Sequence, residues 1–80
     1  MRVRVLAFGI AKDILSANSI AFELAEGSTV SSLKETLLIR YPEFQKLRSL
    51  AFAVNETYVN DNTLLSENDE VVIIPPVSGG

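Results

Sequence analysis

The sequence predicts an α+β domain: a mixed sheet of four to five strands with one main helix packed on one face. Three observations predict it. Two short alternating segments, residues 2–8 and 19–24, open the chain. One long stretch of helical periodicity follows, and a run of four branched apolar residues, Val71-Val72-Ile73-Ile74, comes near the end. Eighty residues leave room for one domain, and an apolar content of 48% supplies the core that so short a chain needs.

Residues 2–8 alternate, with β-branched Val3 and Val5, and read as a strand that Gly9 ends. Residues 10–16 admit a short helical turn. In residues 19–24 Ile20, Phe22 and Leu24 share a face, so this segment reads as a second strand, antiparallel to the first. Glu26-Gly27-Ser28 is a turn into the strongest helix of the chain, with Ser28 or Thr29 placed to cap its free N–H groups. Val30, Leu33, Leu37 and Tyr41 recur at helical spacing and Leu38 widens the stripe, while Ser32, Lys34 and Glu35 lie off it. Pro42 stops the helix, because the residue before a proline is pushed out of the α region.

Residues 50–54 read as a third strand, Asn55-Glu56 as a tight turn and Tyr58-Val59 as a short return strand. Residues 66–69 form a turn in which Asn68 is expected at positive φ, a region that Asn tolerates best after Gly. Residues 70–74 form the last strand. Its four consecutive branched residues predict burial on both faces and hence a central place in the sheet. Pro75 and Pro76 have no N–H to continue the ladder. The stretch separating the first strand from the last is long enough for the two to lie side by side and parallel. A hairpin, one crossing helix and a central final strand make the β-grasp arrangement, with a domain over residues 1–74 and a flexible tail over 75–80.

Composition removes several functions. With no cysteine there is no disulfide or thiolate metal site, and with no histidine the commonest general base and metal ligand is missing. Small secreted domains lean on disulfides, so the chain is expected in the cytoplasm. Its opening Met1-Arg2-Val3-Arg4-Val5 is unlike a signal segment, and no apolar run approaches the roughly 20 residues of a membrane span. The net charge of −3 hides an asymmetry: all seven Lys and Arg lie in residues 1–48, and after Arg48 there are five acids and no base. That acidic third is either a solvated face or negative potential offered to a basic partner. It lacks the basic stripe that phosphate binding requires, which argues against nucleic acid. There is no metal-spaced cluster and no Gly-rich phosphate loop, and Ser78 has no base to activate it.

The tail is the remaining candidate for chemistry. Pro75 and Pro76 extend the exit from the sheet, and Val77, Ser78 and Gly79 lead to Gly80. Six extended residues reach roughly 20 Å, enough to enter a pocket of another protein. A carboxylate behind two glycines is the least hindered acyl group a protein can offer, and it fits a channel too narrow for any β-carbon. Gly-Gly alone is a weak signal; directly after a β-grasp domain it is a strong one.

The segment Leu64-Leu65-Ser66-Glu67-Asn68-Asp69-Glu70 and its continuation to Pro75-Pro76-Val77-Ser78-Gly79-Gly80 resemble the molybdopterin synthase small-subunit family of ubiquitin-like sulfur carriers. So do Arg4-Val5-Leu6-Ala7-Phe8-Gly9 and Ala53-Val54-Asn55, so the resemblance covers essentially the whole chain. Thiamin-pathway carriers share the fold and the Gly-Gly, but they are usually shorter and lack the proline pair. Asn68 stands where the family usually has Gly, and Ile73 and Ile74 where some members have aromatics.

The resemblance implies that a ubiquitin-activating-type enzyme, using ATP and magnesium, adenylates Gly80. A sulfur donor protein then leaves a thiocarboxylate there. The residues Pro75 to Gly79 carry it into the large synthase subunit, in an expected heterotetramer, where sulfur passes to a pyranopterin precursor of the dithiolene. The chain itself binds no cofactor in this scheme and is not catalytic alone. Phe8 and Ile74 are the implied partner-facing residues, with core packing as the alternative for each. The same fold and tail also suit a modifier of lysines, a carrier for thiamin or tRNA thiolation, or a passive interaction module.

Overall fold

A computed structural model describes residues 1–47 and 49–76. The tail residues Val77, Ser78, Gly79 and Gly80 assigned above lie outside the described residues. The elements run β1 (Arg2–Leu6), α1 (Gly9–Leu15), β2 (Ser19–Glu23), α2 (Val30–Arg40), a 3-10 helix (Pro42–Lys46), β3 (Ala51–Val54), β4 (Thr57–Val59) and β5 (Glu70–Ile74). They build one five-stranded sheet in the order β2-β1-β5-β3-β4, with β1 and β5 parallel and the other pairs antiparallel. The expected β-grasp is the observed fold.

Alternation decides which residues enter the core. Val3, Val5, Phe22, Phe52, Val54, Val71 and Ile73 turn to one face of the sheet, and Val30, Leu33 and Leu37 of α2 close over them. Each such side chain contributes about 1.5–3 kcal/mol by leaving water. Thr29 caps α2, its Oγ1 accepting from Ser32 N at 3.3 Å, while the carbonyls of Thr63 and Asp61 accept from Val30 N and Ser31 N. Pro42 ends α2 as expected and then begins the 3-10 helix, which sets Phe44 into the core beside Tyr41. No periodicity pointed to that element, because five residues are too few to show one. The turn expected at 10–16 is a seven-residue helix, entered through Gly9 at φ +56 and burying Ala11 and Leu15.

One expectation is corrected. The run Val71-Val72-Ile73-Ile74 does lie in a central strand, but only Val71 and Ile73 are buried, while Val72 and Ile74 are half-exposed. Both helices pack on one side of the sheet. Among the described residues no helix covers the other side, where Leu6, Val72 and Ile74 are half-exposed and only the small Ala53 is buried by its neighbours.

Candidate functional site

The uncovered face is organised in rows by the strand register. Leu6 of β1 stands beside Val72 of β5, Val72 beside Ala53 of β3, and Ala53 beside Tyr58 of β4, a continuous apolar row across four strands. In the next row Ile74 pairs with Ala51, and extending the β1–β5 register by two residues sets Phe8 level with Ile74. Phe8 still has extended backbone, at φ −133° and ψ 160°, so alternation continues past the end of β1: Ala7 turns inward and Phe8 outward. Phe8 is 62% exposed and Tyr58 76% exposed. Large aromatics left open beside apolar neighbours mark a contact surface more often than chance exposure does.

The other end of this face is charged. Arg2 Nε donates to Glu23 Oε1 at 2.8 Å across β1 and β2, and Arg4 stands beside Glu70 in the parallel register. The apolar end is the one from which the tail departs: Ile74, Pro75 and Pro76, all half-buried, leave the sheet there. Of the two partner-facing residues expected, Phe8 is exposed and Ile74 half-exposed at the root of the tail, so neither is a core residue. Tyr58 was missed. Its signal was present in the alternation of a strand opposite Ala53, but a three-residue strand is too short to declare which side is open.

Asn55 and Asn68 fix the strand that leads to the tail. Asn68 has φ +68, as expected, and its N–H donates to Arg2 O at 2.7 Å. Asn55 and Glu56 both have positive φ, the geometry of a two-residue hairpin turn between β3 and β4.

These features have known counterparts. The chain matches the ThiS family over residues 5–80 and belongs to that family. Over its full length it is 34% identical to the molybdopterin synthase sulfur carrier subunit of Chlamydomonas reinhardtii, all of which is also covered. Such full-length relatives set its function class, the sulfur-carrier small subunit of molybdopterin synthase. Among solved structures, a protein described as molybdopterin converting factor, subunit 1, from Pyrococcus furiosus superposes with a TM-score of 0.88 at 27% identity, over 96% of this chain and 99% of that one. A second, from Helicobacter pylori, was solved as a complex of subunits 1 and 2 of the converting factor. It matches over 100% of both chains, with a TM-score of 0.70 at 27% identity. No helix among the described residues is long and apolar enough to cross a membrane.

Proposed function

We propose that Gly80 carries sulfur as a C-terminal thiocarboxylate and delivers it to a pyranopterin precursor held by a larger synthase subunit. The observation that carries this reading is the root of the tail. β5 ends, and Pro75 and Pro76 leave the sheet, beside the open apolar rows of Leu6, Phe8, Val72, Ile74 and Tyr58. A partner that covers those rows is placed to receive the tail from the same side. The complex of subunits 1 and 2 known for the Helicobacter pylori relative supports a large-subunit partner here.

The chemistry follows from the acyl group. A carboxylate resists nucleophiles, so an activating-type enzyme first joins the Gly80 carboxylate to the α-phosphorus of ATP, with magnesium, and pyrophosphate leaves. A donor protein then delivers sulfide-level sulfur to the acyl carbon, the C–S bond forming as AMP leaves. A thiocarboxylic acid is more acidic than a thiol, so the group is a nucleophilic thiolate at neutral pH and needs no base from a chain that has no histidine. Its sulfur displaces an oxygen substituent from a carbon of the precursor, a C–S bond forming as a C–O bond breaks. Water then hydrolyses the resulting thioester, leaving the sulfur on the pterin and Gly80 as the carboxylate. The acid–base residues belong to the partner, and the cytoplasm supplies the ATP.

Deletion of Gly80 tests this directly. Pterin sulfuration by the reconstituted two-subunit enzyme should vanish while the melting temperature stays unchanged. Sulfuration that survives the deletion overturns the proposal. Intact mass of protein from its native cell should show one oxygen exchanged for sulfur. Conjugates to lysine in its place would make the chain a modifier.

A further inference from the structure

β2 closes one side of the sheet, and among the described residues half of its backbone groups have no partner. Met1 and Leu24 exchange both backbone bonds, at 2.7 and 2.8 Å, and at the far end Ala7 N donates to Asn18 O at 2.9 Å. Bonded and non-bonded pairs alternate along an antiparallel ladder, so the bonded pairs between these are Val3 with Phe22 and Val5 with Ile20. The N–H and C=O of Ser19, Ala21 and Glu23 therefore point away from β1, and all three residues are exposed. Edge strands that stay single are short or covered, or carry proline, a bulge or charged side chains, lysine above all. The one charge of β2, Glu23, lies at its end and is already paired with Arg2. β2 has no proline, lysine or bulge: Ser19-Ile20-Ala21-Phe22-Glu23 runs in unbroken register with β1. The opposite edge, β4, is only three residues long.

We propose that β2 is the interface for a second copy of this chain, paired antiparallel about Ala21 so that two five-stranded sheets become one. The register is self-complementary. Ala21 meets Ala21 at the twofold axis, and Ser19 meets Glu23 on either side of it, so every outward N–H and C=O of these residues gains a partner. The charges are complementary as well. Arg4 stands beside Ala21 in the register, at the wall of a shallow depression of about 410 Å³ that Ser19, Ile20 and Asn68 also line. Among the described residues it has no carboxylate within salt-bridge distance. The Ala21 methyl leaves the way open for Glu23 of the second copy, diagonal to it, to face Arg4. Glu23 already accepts from Arg2, so pairing adds a second guanidinium to a solvated carboxylate and buries no new charge. On the helix side Ile20, half-exposed, stands opposite the second copy's Phe22.

A twofold axis perpendicular to the sheet keeps both uncovered faces on one side. β1 separates β2 from β5, so both tails stay free, and the assembly presents two carriers at once. A five-residue strand pair is far smaller than the 1,200–2,000 Å² or so of a stable interface. The association is therefore an equilibrium half complete at about 0.1–1 mM.

Sedimentation equilibrium of the full chain from about 10 μM to about 2 mM spans that range, with ¹⁵N amide spectra recorded on the same series. The mean mass should climb from 8.7 kDa towards twice that value, with concentration-dependent shifts centred on the Ser19, Ala21 and Glu23 amides. Ala21→Lys should weaken association at least tenfold and leave sulfur transfer unchanged. A constant 8.7 kDa throughout, or shifts centred on Tyr58 or β4, would overturn the proposal. The amide map of the unmodified chain decides the matter even if the variant folds poorly.

Discussion

Asn55 and Asp69 hold the β3–β4 turn against the start of the tail-bearing strand. Asn55 Nδ2 donates to Asp69 Oδ1 at 3.0 Å, and Asn55 Oδ1 accepts from Glu70 N at 3.0 Å. The other oxygen of the same carboxylate, Asp69 Oδ2, accepts from Ser66 N at 2.8 Å. One side chain at φ +50 thus joins two loops that are 14 residues apart. Asn55→Ala removes both bonds and leaves a β-carbon in the left-handed region, for an expected loss of about 2 kcal/mol in urea unfolding. Asn55→Gly keeps the backbone and loses only the bonds, so about half that loss is expected.

Glu56, the next residue, has φ +71, and among the described residues its side chain makes no hydrogen bond to compensate. Glu56→Gly places glycine where a hairpin of this kind favours it. A gain of about 0.5–1 kcal/mol is expected, read as a higher urea midpoint at unchanged slope.

Leu37 is fully buried on α2, and Ile39, two residues on, is 80% exposed. Leu37→Ala should cost about 3 kcal/mol and Ile39→Ala no more than about 0.5 kcal/mol, a contrast that thermal unfolding of the two variants checks.

Phe8→Asp and Tyr58→Asp each set a charge in the apolar rows of the uncovered face. Each should weaken binding to the large synthase subunit tenfold to a hundredfold, or about 1.4–2.8 kcal/mol, when titrated by calorimetry. Both side chains lie outside the core, so the melting temperature of the isolated chain should move by less than about 2 °C.

Most of the fold was legible because its signals are local. The cap at Ser28 or Thr29, which the structure gives to Thr29, the stripe of Val30, Leu33 and Leu37, the Pro42 stop and the positive φ of Asn68 are each set within a few residues of chain. The 3-10 helix at Pro42–Lys46 and the full helical form of Gly9–Leu15 were not legible, since both are held by burying Phe44, Ala11 and Leu15 rather than by a repeating pattern. The run from Val71 to Ile74 misled for the opposite reason. A chain that lays branched residues on both sides of a strand does so whether the second side meets its own helices or another protein.

The sequence by itself determined the proposal for Gly80: no histidine, no cysteine, and a Gly79-Gly80 pair behind two prolines. Composition and chain order are sufficient for that, because an acyl terminus needs no constellation of side chains. Only the tertiary structure decided which apolar residues stand open together. Phe8 just past β1, Tyr58 of β4 and Ile74 of β5 share one open face because β5 is inserted between β1 and β3. Which side of a sheet lacks a helix is a property of the assembled layers, and no single strand carries it.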